Sequence, residues 1–213
     1  MRSSLGLFPL RNRHSGAIED AELFVPIDGT NLADFEQHWK PMVLDRLRQL
    51  PRGTTTTDAQ LQDWHWDWRK KADRFADRLD YRSFAVECAG RTQGLMICSL
   101  VHRVREPSML NQHLVYIEFL HSAPWNRWQF TDTPLYKGVG DLLVAAAVSL
   151  SIEEEFEGRI GLHSLPQSDD WYRDYCGMTD LGVDSAYENL RYFEMTAQQA
   201  ANFGRKNPKG VAS

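Results

Sequence analysis

The stretch PLYKGVGDLLVAAAV, residues 134–148, places Gly138 and Gly140 directly before an almost wholly apolar run. The run predicts a helix over residues 140–154 that is apolar on every side and is therefore buried. The first backbone N–H groups of a helix lack intrahelical partners, and glycine lets an anion approach the main chain closely. The stretch therefore fits either a turn into a buried helix or a loop that holds a pyrophosphate. Asp141 favours the turn, because a carboxylate in the first turn itself complements the helix dipole.

The composition limits the classes of protein to which the chain can belong. Its 213 residues, 42% of them hydrophobic and 25% charged, are typical of one globular domain. A formal net charge of −5 makes nucleic acid an unexpected partner. No apolar run approaches the roughly 20 residues that span a bilayer, so no membrane partner is expected.

The cysteines and the other potential metal ligands are few and widely spaced. Three cysteines without a CxxC spacing indicate a reducing compartment, and a cytoplasmic location is expected. His65 and Asp67 stand together, but two residues are too few for a metal site, so no metal is expected. A homodimer is compatible with the sequence.

The patterns along the chain predict a flexible N-terminal arm over residues 1–20, one domain over residues 21–196, and a short tail over residues 197–213 that is disordered at its end. Within the domain, apolar periodicity and turn residues indicate alternating strands and helices. The predicted strands are residues 21–26, 81–88, 95–104, 113–121, 159–165 and 187–195. The predicted helices are a helix that is capped by Asn31 and ended or kinked by Pro41, then residues 58–79, 140–154 and 169–175.

This order predicts an α/β (α+β) fold with a mixed central sheet flanked by helices. The strand–helix–strand unit over residues 113–165 is long enough for a crossover, so its two strands are expected to be parallel. The strand over residues 113–121 is apolar almost throughout, as in a strand that is buried on both faces.

The element order and several motifs resemble the GNAT superfamily of N-acetyltransferases over residues 21–195. The segment YKGVGDLL is similar to the acetyl-CoA pyrophosphate loop, Q/R-x-x-G-x-G/A. The segments GLHSLP and WYRDYCGM resemble the fifth strand and the FYxxxGF helix ending, and PWN resembles a proline-containing turn. Two departures are visible: Leu135 stands where the family has Gln or Arg, and Tyr172 is one residue further from Gly177 than usual.

The resemblance implies a GNAT-type N-acetyltransferase that uses acetyl-CoA as acyl donor and an amine on a small molecule or a protein as acceptor. It implies that the loop before the predicted helix holds the CoA pyrophosphate and that the end of the central strand pairs with the pantetheine arm. The implied cofactor-binding residues are Leu120, His121, Ser122, Lys137, Gly138, Val139, Gly140 and Asp141, and the candidate acceptor-binding residues on the long loop are Trp125, Asn126 and Trp128.

Direct transfer from a thioester to an amine requires a group that takes the amine proton and a group that protonates the thiolate. Glu118 is the carboxylate inside the apolar strand and is the candidate base, unless it faces a basic side chain or solvent. Tyr172 resembles the family's tyrosine acid, with Tyr175 or simple core packing as alternatives. His121 and His163 fit either strand-end or core positions or a role in proton transfer.

Two other functions fit parts of the sequence. A catalytically degenerate acyl-CoA-binding regulatory module is consistent with Leu135 and with the lengthened tyrosine motif. Transfer to an aminoacylated RNA would use a basic face over residues 69–78. Trp64 and Trp68 are four residues apart on a predicted helical stripe, which favours core packing over substrate binding.

Overall fold

The computed structural model describes residues 2–206, in which the chain forms two compact units. The first unit comprises the chain up to Met96 together with residues 120–143, and the second comprises residues 97–119 together with the chain from Val144 onward. The prediction of a single domain over residues 21–196 stays a prediction.

The first unit is built on five antiparallel strands. In their order across the sheet they are β6 (Tyr136–Lys137), β1 (Ser3–Asn12), β2 (Ile18–Val25), β3 (Tyr81–Cys88) and β4 (Arg91–Ser99). The N-terminal strand β1 pairs with β2 from Ser3↔Val25 to Arg11↔Ile18, so the expected flexible arm is wrong for residues 3–12 and 18–20. Only Leu10 of β1 is fully buried and Pro9 lies within the strand, so backbone pairing orders a segment whose apolar pattern is weak. The last residues of β4, from Ile97 to Ser99, belong to the second unit.

The first helical segment begins at Asp28 and is interrupted before Pro41. Asp28 is the N-cap and Asn31 completes a capping box with it, so the predicted cap at Asn31 is wrong by three residues. Instead of a kink, the residues before Pro41 form a π-helical turn in which the Lys40 N–H bonds to the Phe35 carbonyl. Proline lacks an N–H and clashes with the preceding turn of an α-helix, and the wider turn absorbs this conflict. The segments are α1 (Gly29–Asp34), the π turn Phe35–Trp39, and α2 (Lys40–Arg48).

The predicted helix over residues 58–79 is mostly a series of turns, with only α3 (Trp68–Phe75) helical. Asp67 caps α3 by accepting a hydrogen bond from the Lys70 amide. Trp68 is fully buried, which confirms core packing for this residue, but Trp64 is 44% exposed. The helical spacing of the two tryptophans therefore does not reflect a shared face.

The second unit contains the parallel pair that the strand–helix–strand unit predicts. β5 and β7 are parallel, with Val115 opposite Ile160 and Ile117 opposite Leu162, and β9 pairs antiparallel with both β7 and β8. The hydrogen-bonded order is β4-β5-β7-β9-β8. β8 is not among the predicted strands. The elements are β5 (Val115–Ser122), α4 (Val139–Glu153), β7 (Ile160–Ser164), β8 (Thr179–Asp184), β9 (Leu190–Met195) and α5 (Ala197–Lys206). Two of the elements named here also extend into the first unit, which includes residues 120–122 of β5 and residues 139–143 of α4.

The predicted buried helix is α4, in which every residue from Leu142 to Val148 is at most 5% exposed. The predicted helix over residues 169–175 is a π turn over Trp171–Tyr175, and part of the predicted tail is helix α5. The expected disorder at the end of the tail concerns residues 207–213, which lie outside the described residues. Mostly antiparallel strands, one parallel pair and flanking helices confirm the predicted mixed α/β class. Over residues 2–206, no helix has the length and hydropathy that a membrane span requires.

Candidate active site

The glycine loop before α4 is shaped by a short strand and by one left-handed backbone position. Lys137 in β6 pairs with Arg11 of β1, and its side chain is exposed. Gly138 then adopts φ of +105°, which L side chains rarely adopt, and a Cβ there would lie 3.4 Å from Leu10 Cδ2. The first α-helical hydrogen bond runs from the Leu142 N–H to the Gly138 carbonyl at 2.9 Å. The chain thus enters α4 through a backbone position that favours glycine.

Gly94 in β4 lets the first turn of α4 pack directly on the sheet. A Cβ at this position would lie 2.7 Å from Val139 Cγ1 and 2.9 Å from Leu143 Cδ1, both closer than van der Waals contact allows. The same point is 3.6 Å from the His121 carbonyl oxygen. Sequence reasoning missed Gly94, because a glycine inside a strand is read as a local weakness until its neighbours are known.

β5 and β7 pair over only part of their lengths. Their register ends at Ile117 opposite Leu162, although β5 continues to Ser122 and β7 to Ser164. The parallel register therefore covers the first half of β5 and stops before its C-terminal end.

His121, near the end of β5, is the centre of a buried polar network in the first unit. The Trp68 indole N–H donates to His121 Nδ1 at 2.9 Å. His121 Nε2 lies 3.2 Å from Asp63 Oδ2, and Arg127 binds both oxygens of Asp63 at 2.8 and 3.1 Å. Asp63 and His121 are only 5% and 4% exposed. The predicted proton-transfer role of His121 stays a prediction, but its side chain is engaged at both nitrogens.

The contact with Trp68 indicates the tautomer of His121. An indole N–H can only donate, so Nδ1 carries a lone pair and a neutral ring holds its proton on Nε2, which lies 3.2 Å from Asp63 Oδ2 and 3.0 Å from Arg127 Nη1. Burial lowers the pKa of His121, which agrees with a neutral ring. Burial opposes ionisation of Asp63, but His121 and Arg127 outweigh it and hold the pKa of the carboxyl well below its usual range.

Aromatic rings surround His121, and one of them, Trp66, lines a cavity of about 190 Å³ together with His121. The Trp68 ring is stacked on the imidazole at 6.2 Å, and Trp39 and Trp66 meet it edge-on at 5.3 and 5.4 Å. The cavity is lined by Phe35, Lys40, Val43, Leu44, Asp63, Trp64, His65, Trp66, Asp67 and His121. Sequence reasoning identified His121 alone among the members of this network as a candidate, because Asp63 and Arg127 lie in segments without regular periodicity.

The candidate acceptor-binding residues of the long loop make mainly internal contacts. Trp125 Nε1 and Asn126 Nδ2 both donate to Gln93 Oε1, at 2.8 and 3.0 Å, and Asn126 Oδ1 accepts from the Tyr136 amide. Trp128 is 63% exposed, with the Arg13 guanidinium 5.5 Å from its ring centre. Acceptor binding by these residues stays a prediction.

In the second unit, Glu118 faces a basic side chain. His102 Nε2 lies 3.7 Å from Glu118 Oε1, and the His102 ring stacks on Tyr116 at 4.1 Å. Both side chains are partly exposed, at 25% for His102 and 22% for Glu118, so Glu118 remains accessible to solvent.

His163 belongs to a second buried polar chain in the same unit. His163 Nε2 lies 3.0 Å from Asp184 Oδ2, and Nδ1 lies 2.6 Å from the Tyr116 hydroxyl. Because a carboxylate accepts, Nε2 carries the proton and the Tyr116 hydroxyl donates to Nδ1. Burial lowers the pKa of His163 and raises that of Tyr116, so both groups are neutral near pH 7.

Tyr172, the candidate acid, is 7% exposed and packs against Trp171 and Phe193 with ring-centre distances of 4.9 and 6.1 Å. Burial raises its pKa, which keeps the phenol protonated. Tyr175, the alternative, is 39% exposed and stacks on Trp171.

The glycine loop, the diverging parallel strands and the mixed sheet are the fold of the GNAT N-acetyltransferases. RimJ of Mycobacterium smegmatis, solved with CoA-disulfide, is similar in structure at 15% identity, with a TM-score of 0.50 over 95% of this chain and 94% of that one. A GNAT-family protein of Desulfovibrio desulfuricans is similar at 8% identity, with a TM-score of 0.50 over 83% and 99% of the two chains. No protein-family model matches the sequence, and no curated protein matches it.

Proposed function

We propose that this chain is an acetyl-CoA-dependent N-acetyltransferase that moves the acetyl group directly from the thioester to an amine. The observation that carries the proposal is the combination of the glycine loop at the start of α4 with a parallel register of β5 and β7 that ends at Ile117, before the C-terminal residues Leu120–Ser122 of β5. These two features offer the two kinds of contact that CoA requires: amides for a pyrophosphate and a strand edge for the amides of pantetheine.

The residues of the first unit fit the cofactor. The helix dipole and the first amides of α4, at Val139 and Gly140, favour an anion at the end of the glycine loop. The exposed ammonium of Lys137 adds a charge-assisted contact to the pyrophosphate. The backbone of Leu120, His121 and Ser122 would pair with the pantetheine arm, as the resemblance implies.

Glu118 and Tyr172 are proposed to move the two protons of the reaction. When the amine nitrogen bonds to the acetyl carbonyl carbon, Glu118 takes the proton that the nitrogen loses. When the carbon–sulfur bond breaks, the Tyr172 phenol donates a proton to the departing thiolate. Burial raises the pKa of Tyr172, so the phenol is protonated at neutral pH and has a proton to donate, although burial also makes it a weaker acid.

Cofactor binding is tested by calorimetry with CoA on a matched pair of glycine variants. In Gly140→Ala we expect at least tenfold weaker CoA binding, because the new methyl group keeps the pyrophosphate from the main chain. The folded state should be retained, since alanine is the better helix former. Gly29→Ala, at the start of α1 where a Cβ meets nothing within 4 Å, is the control and should bind CoA as the parent does. Absence of CoA binding by the parent would refute the proposal.

Turnover is tested by thiol release from acetyl-CoA with a panel of amines. In Glu118→Gln and Tyr172→Phe we expect a loss of about 10²-fold or more in kcat with CoA affinity retained. Glu153→Gln and Tyr175→Phe are the matched controls, and full activity in Tyr172→Phe with a loss in Tyr175→Phe would transfer the acid role to Tyr175. CoA binding without any turnover by the parent would instead support the acyl-CoA-binding regulatory module.

A further inference from the structure

The cavity beside His121 has an inner end that is polar and buried and an outer wall that is aromatic. Asp63 and His121 are about 5% exposed, whereas Trp64 is 44% exposed. The buried pair therefore forms part of the inner end, together with the equally buried Phe35 and Val43. The apolar lining residues are Phe35, Val43, Leu44, Trp64 and Trp66, and the other polar lining residues are Lys40, His65 and Asp67.

The inner end carries no uncompensated charge. The Asp63 carboxylate is bound by Arg127 through two hydrogen bonds and also accepts from the neutral His121 ring. An ammonium that reached this point would lose water and find no free counter-charge, whereas a neutral amine would lose far less. The cavity therefore favours the deprotonated amine, which is the form that attacks a thioester.

The walls favour an acceptor with a single apolar body. Rings and aliphatic side chains stabilise a ligand through the area that they remove from water, and two indoles suit a flat ring. The charged residues that line the cavity are Lys40, Asp67 and the paired Asp63, with His65 as a further titratable group. Asp67 accepts from the Lys70 amide but keeps its negative charge, so it can hold one ammonium group. The further ammonium groups of a polyamine would lie against apolar walls and near Lys40, which is unfavourable.

We propose that this cavity is the acceptor site and that the acceptor is a small primary amine with one aromatic or bulky apolar body, bound with its nitrogen toward His121. The inference rests on the proposed function. His121 lines the cavity, and its backbone belongs to the strand edge that the proposed function assigns to pantetheine, so an amine in the cavity would lie beside the acyl donor. A volume of about 190 Å³ is below the roughly 300 Å³ at which sites for drug-sized ligands begin, so the acceptor is small.

The test measures binding and turnover separately, with phenethylamine, its trimethylammonium analogue and spermidine as probes. Binding to the full chain without CoA is followed by calorimetry, and turnover by thiol release. We expect phenethylamine to bind at least tenfold more tightly than the other two probes. Tighter binding of the permanently charged analogue or of spermidine would overturn the inference.

Two variants test where the apolar part of the acceptor binds. Leu44→Ala and Trp64→Ala should each raise the KM for phenethylamine, about tenfold for Trp64→Ala, with the KM for acetyl-CoA unchanged. Met42→Ala is the matched control, because Met42 is on the same helix at similar exposure and does not line the cavity. An unchanged KM in Trp64→Ala would overturn the assignment.

The outcomes separate the two proposals. Phenethylamine binding that depends on Trp64, without CoA binding, would refute the proposed function and leave the cavity as an amine site. Acetylation of amines with no dependence on Trp64 or Leu44 would leave the proposed function and refute this acceptor site.

Discussion

Replacement of Arg127 by methionine isolates the electrostatic contribution of the buried network around His121. Methionine retains much of the aliphatic bulk, but it leaves the Asp63 carboxylate, whose side chain is 6% exposed, without the two hydrogen bonds at 2.8 and 3.1 Å. Removal of one partner of a buried, hydrogen-bonded ion pair costs about 3–5 kcal/mol. We therefore expect the free energy of unfolding, measured with urea at pH 7, to fall by about that amount.

The pH dependence of this loss has a definite sign. In the parent, the lowered pKa of Asp63 contributes stability that is present above the unfolded value of about 3.9 and lost as the pH falls toward the folded value. In Arg127→Met, burial is no longer opposed by the guanidinium, so the folded pKa of Asp63 rises. The difference in stability between parent and variant should therefore shrink as the pH is lowered through about 4.

Two controls accompany the measurement. Arg48→Met breaks the exposed Arg48–Asp45 pair on α2, with side chains 74% and 61% exposed, and should change stability little. The double variant Asp63→Asn with Arg127→Met should recover part of the loss, because the amide keeps an acceptor for His121 without a charge. A loss below about 1 kcal/mol, or a loss that is constant from pH 4 to 7, would refute the reasoning.

Three further perturbations test neighbouring contacts. Trp68→Phe should lower the free energy of unfolding by about 1–3 kcal/mol, because it leaves the buried Nδ1 of His121 without a hydrogen-bond donor. Denaturation with urea measures the loss, and an unchanged unfolding midpoint would contradict the prediction. Gly94→Ala should destabilise the fold by about 1–3 kcal/mol, since the new methyl group would lie 2.7 Å from Val139 Cγ1. A thermal unfolding midpoint equal to that of the parent would show that α4 can shift to make room for the methyl group. Burial raises the pKa of the Cys98 thiol, so Cys98 should not react with Ellman's reagent at pH 8 until urea unfolds the chain, and rapid labelling of the native protein would disprove this.

The correct and incorrect predictions differ in the kind of information that they required. Helix α4 and the parallel pair β5–β7 follow from long apolar runs and from the length of the crossover, which are local properties of the chain. The N-terminal strand β1 was missed because a strand ordered by pairing on a sheet edge needs little apolar pattern of its own. The spacing of Trp64 and Trp68 favoured a helix, but only α3 forms, and Asp63 in the turns before it is bound by the distant Arg127.

The candidate site also combines features that local sequence patterns predict with contacts that only the folded chain creates. The sequence by itself determined the glycine loop, the buried helix that follows it and the mixed sheet, because glycine, apolar periodicity and crossover length act within short segments. Only the tertiary structure decided that Asp63 and Arg127, 64 residues apart, would meet at His121, and that Gly94 would admit α4 to the sheet. Such contacts depend on which side chains the folded backbone brings together, and no local pattern of the chain encodes that choice.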